Sequence, residues 1–267
     1  MEGWVDAGVA ATTALAHLLK SMPNELVATF DADALIDFRA RRPTLQIVNG
    51  VDMELRWPEI KLQACVNRTG RTVLVLSGPE PDMRWHQFCA EVVSLASRLE
   101  VQMVVGLGAF PAPVPHTRPV RIIGTSTSAE LAGAVGVMPS GIEVPSGVQG
   151  ALEVAFGEAG IPAVGIWARV PHYLAAMPYP AASAALLDGL ARLAEIEIDT
   201  GTLQAAAAAS SQQIAQLIAA SEEHTALVRQ LEEQHDSEMP AESADFGDIP
   251  SGDEIAAELE RFLRGEQ

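Results

Sequence analysis

The sequence predicts an α/β protein: a three-layer α/β/α sandwich with a mixed central sheet, followed by a helical extension at the C-terminal end. Three observations carry that expectation. Short apolar runs of strand length alternate with helical segments from Arg71 onward. Alanine, glycine and valine dominate while aromatics are only 5%, which suits close-packed helices on a sheet better than a sandwich built from aromatic pairs. After Thr202 the sequence turns alanine-rich and then strongly acidic, as in an appended helix with a polar tail. With 267 residues and 48% hydrophobic content, the chain can bury a large core.

Asp6 to Leu19 reads as a helix, with Asp6 placed to accept hydrogen bonds from its first free amides. Leu26–Phe30, Thr44–Val48, Met53–Trp57 and Leu62–Val66 read as short strands, with Asn49-Gly50 as a turn signal between the second and third. Arg71–Ser77 is a continuous apolar run, expected as a central strand buried on both faces. Trp85–Leu99 is a helix with Phe88, Val92, Leu95 and Leu99 on one face. Val101–Leu107, Val120–Ile123 and Ala163–Ala168 supply further strands, and Ala129–Val135, Val148–Ala159 and Ala181–Ile196 further helices. The core is expected over 1–202, one long helix over 203–234, an acidic flexible linker over 235–252 and a short amphipathic helix over 253–267. On the long helix Ile214, Leu217, Ser221, His224, Val228 and Leu231 trace a weakly apolar stripe, and on the last helix Ile255, Leu259, Phe262 and Leu263 share a face that needs a groove on its own core or on a partner.

Lys and Arg total 17 against 35 Asp and Glu, a net charge of -18, so nucleic acid is not an expected partner. Residues 222–267 alone hold 14 of the acids and 3 arginines. Cys65 and Cys89 form no CxxC pair and read as buried reduced thiols. The N-terminus lacks a basic flank and apolar run, and the uncharged stretch Val170–Leu187 is broken by Pro171, Pro178 and Pro180. The expectation is a cytoplasmic protein without a membrane span.

No phosphate-binding GxxxxGK[ST] loop, HExxH or GxSxG motif is present, and the six histidines show no ligand spacing, so no cofactor and no metal are expected. Residues that follow strands remain. Glu80 and Arg84 follow the 71–77 run, where they can pair with each other or clamp a substrate. His116 and Arg118 lie in a proline-flanked loop, and His172 with Tyr173 follows the 163–168 strand; together they are candidates for an anion clamp or an acid/base pair. Ser146 and Gly147 precede a helix whose amides can hold an anion, or Ser146 and Gln149 can form a capping box. Asp6 is either a helix cap or a free carboxylate in a ligand crevice at the strand ends.

Six segments, Gly3–Gly8 (GWVDAG), Leu35–Pro43 (LIDFRARRP), Gly78–Cys89 (GPEPDMRWHQFC), Pro115–Pro119 (PHTRP), Gly160–Tyr173 (GIPAVGIWARVPHY) and Ser251–Arg264 (SGDEIAAELERFLR), together resemble the bacterial branch of the PAC2 family, named after a proteasome assembly chaperone. The resemblance implies a phosphorylase- or hydrolase-like three-layer fold and a homo-oligomer, commonly a trimer. It implies no settled reaction, and an ATP-grasp label sometimes attached to the branch fits poorly with a chain whose only lysines are Lys20 and Lys61. Family members carry an apolar strand before GWVDAG. Here only Met1 and Glu2 precede it, so the expectation is a start assigned too late. The ending Arg264-Gly265-Glu266-Gln267 lacks the hydrophobic-Tyr-any signature of proteasome activators. The function expected is an oligomeric protein-binding or assembly factor, with the proteasome or another protein as partner. The alternative is a small-molecule binder or hydrolase/phosphorylase-like enzyme using the strand-end cleft.

Overall fold

The computed structural model describes residues 5–136 and 143–237. Asp6 reaches past a 3-10 turn at Ala7–Val9 to accept from the amides of Ala11 and Thr12 at 2.7 and 2.9 Å, which starts α1 (Ala10–Ser21). The strands are β1 (Asn24–Thr29), β2 (Thr44–Val48), β3 (Val51–Arg56), β4 (Lys61–Val66), β5 (Thr72–Ser77), β6 (Val104–Ala112), β7 (Ile122–Ser126) and β8 (Ala163–Pro171). The remaining helices are α2 (Ala32–Leu35), α3 (Trp85–Arg98), α4 (Ala129–Val135), α5 (Val148–Glu158), α6 (Pro180–Ala194), α7 (Gly201–Ala219) and α8 (Glu222–Ser237).

The central layer consists of two three-stranded sheets. One is antiparallel in the order β1-β4-β5; the other is mixed, in the order β6-β8-β7, with β6 parallel and β7 antiparallel to β8. Among the described residues the outer edge of β6 meets only one isolated parallel bridge, from Asp6 to Ala109. An edge position tolerates Pro111 inside β6, because proline has no amide to offer a ladder. On one side of this layer α1, α6 and α7 bury Ala14, Leu18, Leu186, Leu187 and Leu203 against Val75, Leu107 and Ile166. On the other, α3 and α5 bury Phe88, Val92, Leu152 and Phe156 against Ile60 and Ala163. Both apolar clusters touch both sheets, which gives the three layers.

Two expectations are corrected. The 71–77 run is not a doubly buried central strand: β5 is an edge strand, antiparallel to β4 and half-buried along most of its length. Continuous apolarity reports burial on average, not position in a sheet, and the strand that is buried at nearly every residue and paired on both edges is β8. The single helix expected over 203–234 is two helices, broken at Ala220–Ser221. There Ser221 Oγ accepts from the His224 amide at 3.3 Å, while the Thr225 hydroxyl donates to the Ser221 and Ile218 carbonyls at 2.9 and 3.1 Å. The break splits the predicted stripe: Ile214, Val228 and Leu231 are buried, but Leu217 is 64% exposed.

Hairpin β2–β3 stands apart from both sheets. Asn49 and Gly50 take φ of 52° and 80°, the paired left-handed residues of a type I′ turn, and Val48 opposes Val51 directly across it. Every residue of both strands is exposed.

Candidate functional site

The described contacts place Glu80 and Arg84 apart from His116, Arg118 and His172. They separate these five predicted residues into two groups, and among the described residues no hydrogen bond or ion pair joins one group to the other.

Glu80 is buried, and its carboxylate accepts from the amide of Val148, the first residue of α5. The free end of that helix is therefore filled by one of the protein's own carboxyl groups. The capping box does not form, because Ser146 Oγ donates to the Gly147 carbonyl at 3.0 Å and Gln149 turns its amide to Glu153. Gly147 is the residue that flanks the helix start. Arg84 occupies a left-handed backbone position, φ 59°, just before α3, and it forms no ion pair with Glu80 among the described residues.

The second group is closely knit. The Tyr173 hydroxyl accepts from the His116 amide at 2.9 Å and meets His116 Nδ1 at 2.9 Å. Burial lowers the pKa of this imidazole, against the smaller opposing pull of Glu232. Burial also pushes the Tyr173 phenol up to about 12. A neutral His116 can then accept the phenol proton while the same oxygen takes the backbone amide. His172 lies on another side of Tyr173, exposed, with its ring edge-on at 5.4 Å. Arg118 grips α8: its Nε and one terminal nitrogen meet the two oxygens of Asp236 at 2.9 and 2.6 Å, and the other terminal nitrogen meets Glu232 at 3.2 Å. Thr117 donates to the same Glu232 carboxylate. The guanidinium holds the Asp236 carboxyl below the usual carboxylate range. Arg118 is thus a strut between the 115–120 loop and α8, with its guanidinium already occupied by two carboxylates.

A groove of about 540 Å³ opens beside this strut, between the 116–120 loop, α6 and α7. Its lining mixes alanines of α6 and α7 with polar groups, among them Arg118, Asp188, Gln204 and Ser211. No cluster of metal-ligating residues occurs among the described residues, and no described helix is long and apolar enough to cross a membrane. Ile255, Leu259, Phe262 and Leu263 lie outside the described residues. Cys65 and Cys89 are free and buried, with thiol pKa values raised by burial.

Sequence reading passed over Glu153, which sits in the apolar run LEVAF and looked like an ordinary helix residue. It is buried, accepts from Thr125 Oγ1 at 2.8 Å, and Thr125 Oγ1 in turn accepts from Trp167 Nε1 at 3.2 Å. Burial raises its pKa, partly offset by the bonds from Thr125 and Gln149. A carboxyl raised in the folded state contributes most to stability below its ordinary value near 4.5, and that contribution is lost as pH rises through the folded value. Glu153→Gln should therefore gain on the wild type as pH rises toward neutrality, reaching on the order of 1 kcal/mol, about the net worth of one hydrogen bond. Thermal unfolding of both proteins across pH 4 to 8 checks this, and a constant difference between them would contradict it.

The PAC2 family profile matches residues 1–218, most of the chain. The chain belongs to the PAC2 family. Among solved structures of PAC2-like fold, a Mycobacterium tuberculosis protein of unknown function shares 37% identity over 90% of this chain and 83% of its own, at a TM-score of 0.85. A second M. tuberculosis protein, described as a proteasome-assembly chaperone homologue, is 39% identical over 85% of this chain and 97% of its own, at 0.79. A PAC2 family protein from Streptomyces avermitilis is also 39% identical over the same shares, at 0.77. No curated protein matches the sequence.

Proposed function

We propose that this PAC2 protein is a homo-oligomeric binding or assembly factor, trimeric and cytoplasmic, whose partner is a protein surface of the proteasome-subunit kind. The observation that carries the reading is hairpin β2–β3. Leu45 and Leu55 oppose each other on one face, where Ile47 follows by alternation, while the other face carries Gln46 opposite Glu54 and Thr44 opposite Arg56. The bulge beside Met53 brings Val48 and Val51 together at the tip. Leu45, Ile47, Val51, Met53, Leu55 and Trp57 are 44 to 62% exposed. A two-stranded ribbon has no core of its own and is marginal in water. Exposed apolar side chains gathered on one ribbon, with Asp52 the charged residue opposite Ile47, mark a contact with another protein, and the likeness to a proteasome-assembly chaperone homologue supports the class of partner.

The occupied Arg118 and the tyrosine-bound His116 favour this reading over small-molecule catalysis, because a substrate would have to displace the carboxylates that already satisfy the guanidinium. The test is Ile47→Asp with Leu55→Asp in the full chain, two exposed positions whose replacement leaves both apolar clusters intact. Native mass measurement and titration with purified cognate proteasome α-type subunits should show a trimer, a subunit complex or both for the wild type, with at least a tenfold weakening in the variant. Equal assembly and equal subunit binding in the two proteins would refute the proposal.

A further inference from the structure

Two unpartnered surfaces lie on opposite layers of the sandwich. Hairpin β2–β3 is anchored on the α3 and α5 side, because Phe38 before it and Ile60 after it belong to the apolar cluster around Phe88, and Trp57 meets Phe38 edge-on at 4.9 Å. The groove between α6 and α7 opens on the other side, in the layer that buries Leu186 and Leu203. We propose that the two meet between copies, the hairpin of one chain docking in the α6–α7 groove of a second copy. The inference rests on the reading of the hairpin as a contact surface and names the surface it meets.

Three observations select this occupant. The lengths match: the groove wall from Gln204 to Ile214 spans about 15 Å along α7, and β2 from Thr44 to Val48 spans about 14 Å. The linings match as well. Ala184, Ala185, Ala207 and Ala208 leave room for larger side chains, which Leu45, Ile47 and Leu55 supply from one face of the ribbon. Gln204 and Ser211 in the groove offer hydrogen-bond donors to Asp52, which stands opposite Ile47.

The third observation is charge. Arg41 is paired with Asp82 and Arg56 with Glu54, but Arg39 and Arg42, just before the hairpin, are exposed and form no ion pair among the described residues. On the other layer, Arg118 lines the groove and ties α8 to it, and α8 carries Glu222, Glu223 and Glu233, exposed and likewise without an ion pair among the described residues. A basic flank therefore borders the hairpin and an acidic flank borders the groove. In a chain of net charge -18, whose copies repel at long range, this local complementarity favours one orientation of approach over the others. Because the two surfaces differ, the contact is head-to-tail, and such contacts generate a ring when the rotation between copies closes.

The test uses the full chain. Ala208→Arg, an exposed position that fills the groove, should reduce the native mass from the assembled to the monomeric value without lowering the unfolding temperature. Arg39→Glu with Arg42→Glu should weaken assembly by on the order of tenfold at low salt and by much less at high salt. In a third variant, Ile47→Cys with Ala208→Cys, mild oxidation should link residue 47 of one chain to residue 208 of another; Cys65 and Cys89 are buried with raised thiol pKa values and do not compete. If Ala208→Arg assembled like the wild type while Ile47→Asp with Leu55→Asp fell apart, the docking would be overturned and the hairpin reading would stand. If the hairpin variant also assembled normally, or the wild type were monomeric, the docking would fall together with the homo-oligomeric part of that reading. Charge reversal without effect, or links joining 47 to 47 in place of 47 to 208, would overturn the docking alone.

Discussion

Gly78→Ala is expected to destabilise the protein by about 4 kcal/mol, enough to lower the unfolding temperature by roughly 10 °C. Gly78 follows β5 with φ of 124°, a backbone region that a residue with a side chain rarely adopts. A Cβ there would sit 2.3 Å from the Glu59 carbonyl oxygen and 2.8 Å from the Ile60 Cα. Both are backbone atoms, so no rotamer change relieves the clash. Movement at Ile60 would disturb a fully buried residue that packs with Phe88, and movement at Gly78 would displace Glu80 from the start of α5. Gly70→Ala provides the control: its φ is 82°, but nothing lies within 4 Å of the added carbon. It should cost about 1 kcal/mol, the backbone contribution alone. Denaturant unfolding of the two variants checks the account, and equal losses would show that the contact with Glu59 and Ile60 is not what matters.

The second large effect is local. Arg118→Ala should free α8 from the 115–120 loop, so that amide exchange across 222–237 rises by more than tenfold while the β8 amides keep their wild-type rates. The guanidinium makes two parallel bonds to Asp236 and a third to Glu232, and its removal leaves two neighbouring carboxylates repelling each other. Arg118→Lys should recover little, because an ammonium supplies a point charge without the planar fork. The same contact sets a pH dependence. Asp236 has a lowered folded pKa, so its contribution is fully present above the ordinary aspartate value near 3.8 and is lost as pH falls through the folded value. The protection of the α8 amides relative to their intrinsic exchange rates should accordingly hold in mild acid and fall away below about pH 4. If α8 exchanged equally fast in wild type and Arg118→Ala, the strut would be a surface contact without consequence.

Local chemistry was legible in the sequence where it acts over a few residues. Asp6 accepts from the amides at the start of α1, Asn49-Gly50 makes the hairpin turn, and Phe88 and Val92 face the core of α3 as their spacing requires. What depends on distant parts of the chain was not. Glu80 and Val148 are 68 positions apart, and Arg118 and Asp236 are 118 apart. Nothing in local spacing tells an acid that fastens a loop from an acid that only meets water, so Glu232 read as one more residue of the long helix and Asp236 as part of the acidic linker. Likewise the alternation in β2 announces a face that wants cover without saying that the core withholds it. The helix break at Ser221 was hidden because serine and threonine are tolerated inside helices, and their hydroxyls redirect carbonyls only in the right rotamers.

The central claim is that an apolar ribbon on a PAC2 core serves as a protein-contact surface, and hydrogen exchange across residues 44–56 tests it most directly. The full chain would be compared at a concentration where it is assembled, with and without cognate proteasome α-type subunits, and at a dilution where it is monomeric. The account predicts slow exchange of the β2 and β3 amides in the assembled or partner-bound protein and fast exchange in the dilute monomer, where the ribbon lies open to water. Exchange that is equally fast in all three states would contradict it.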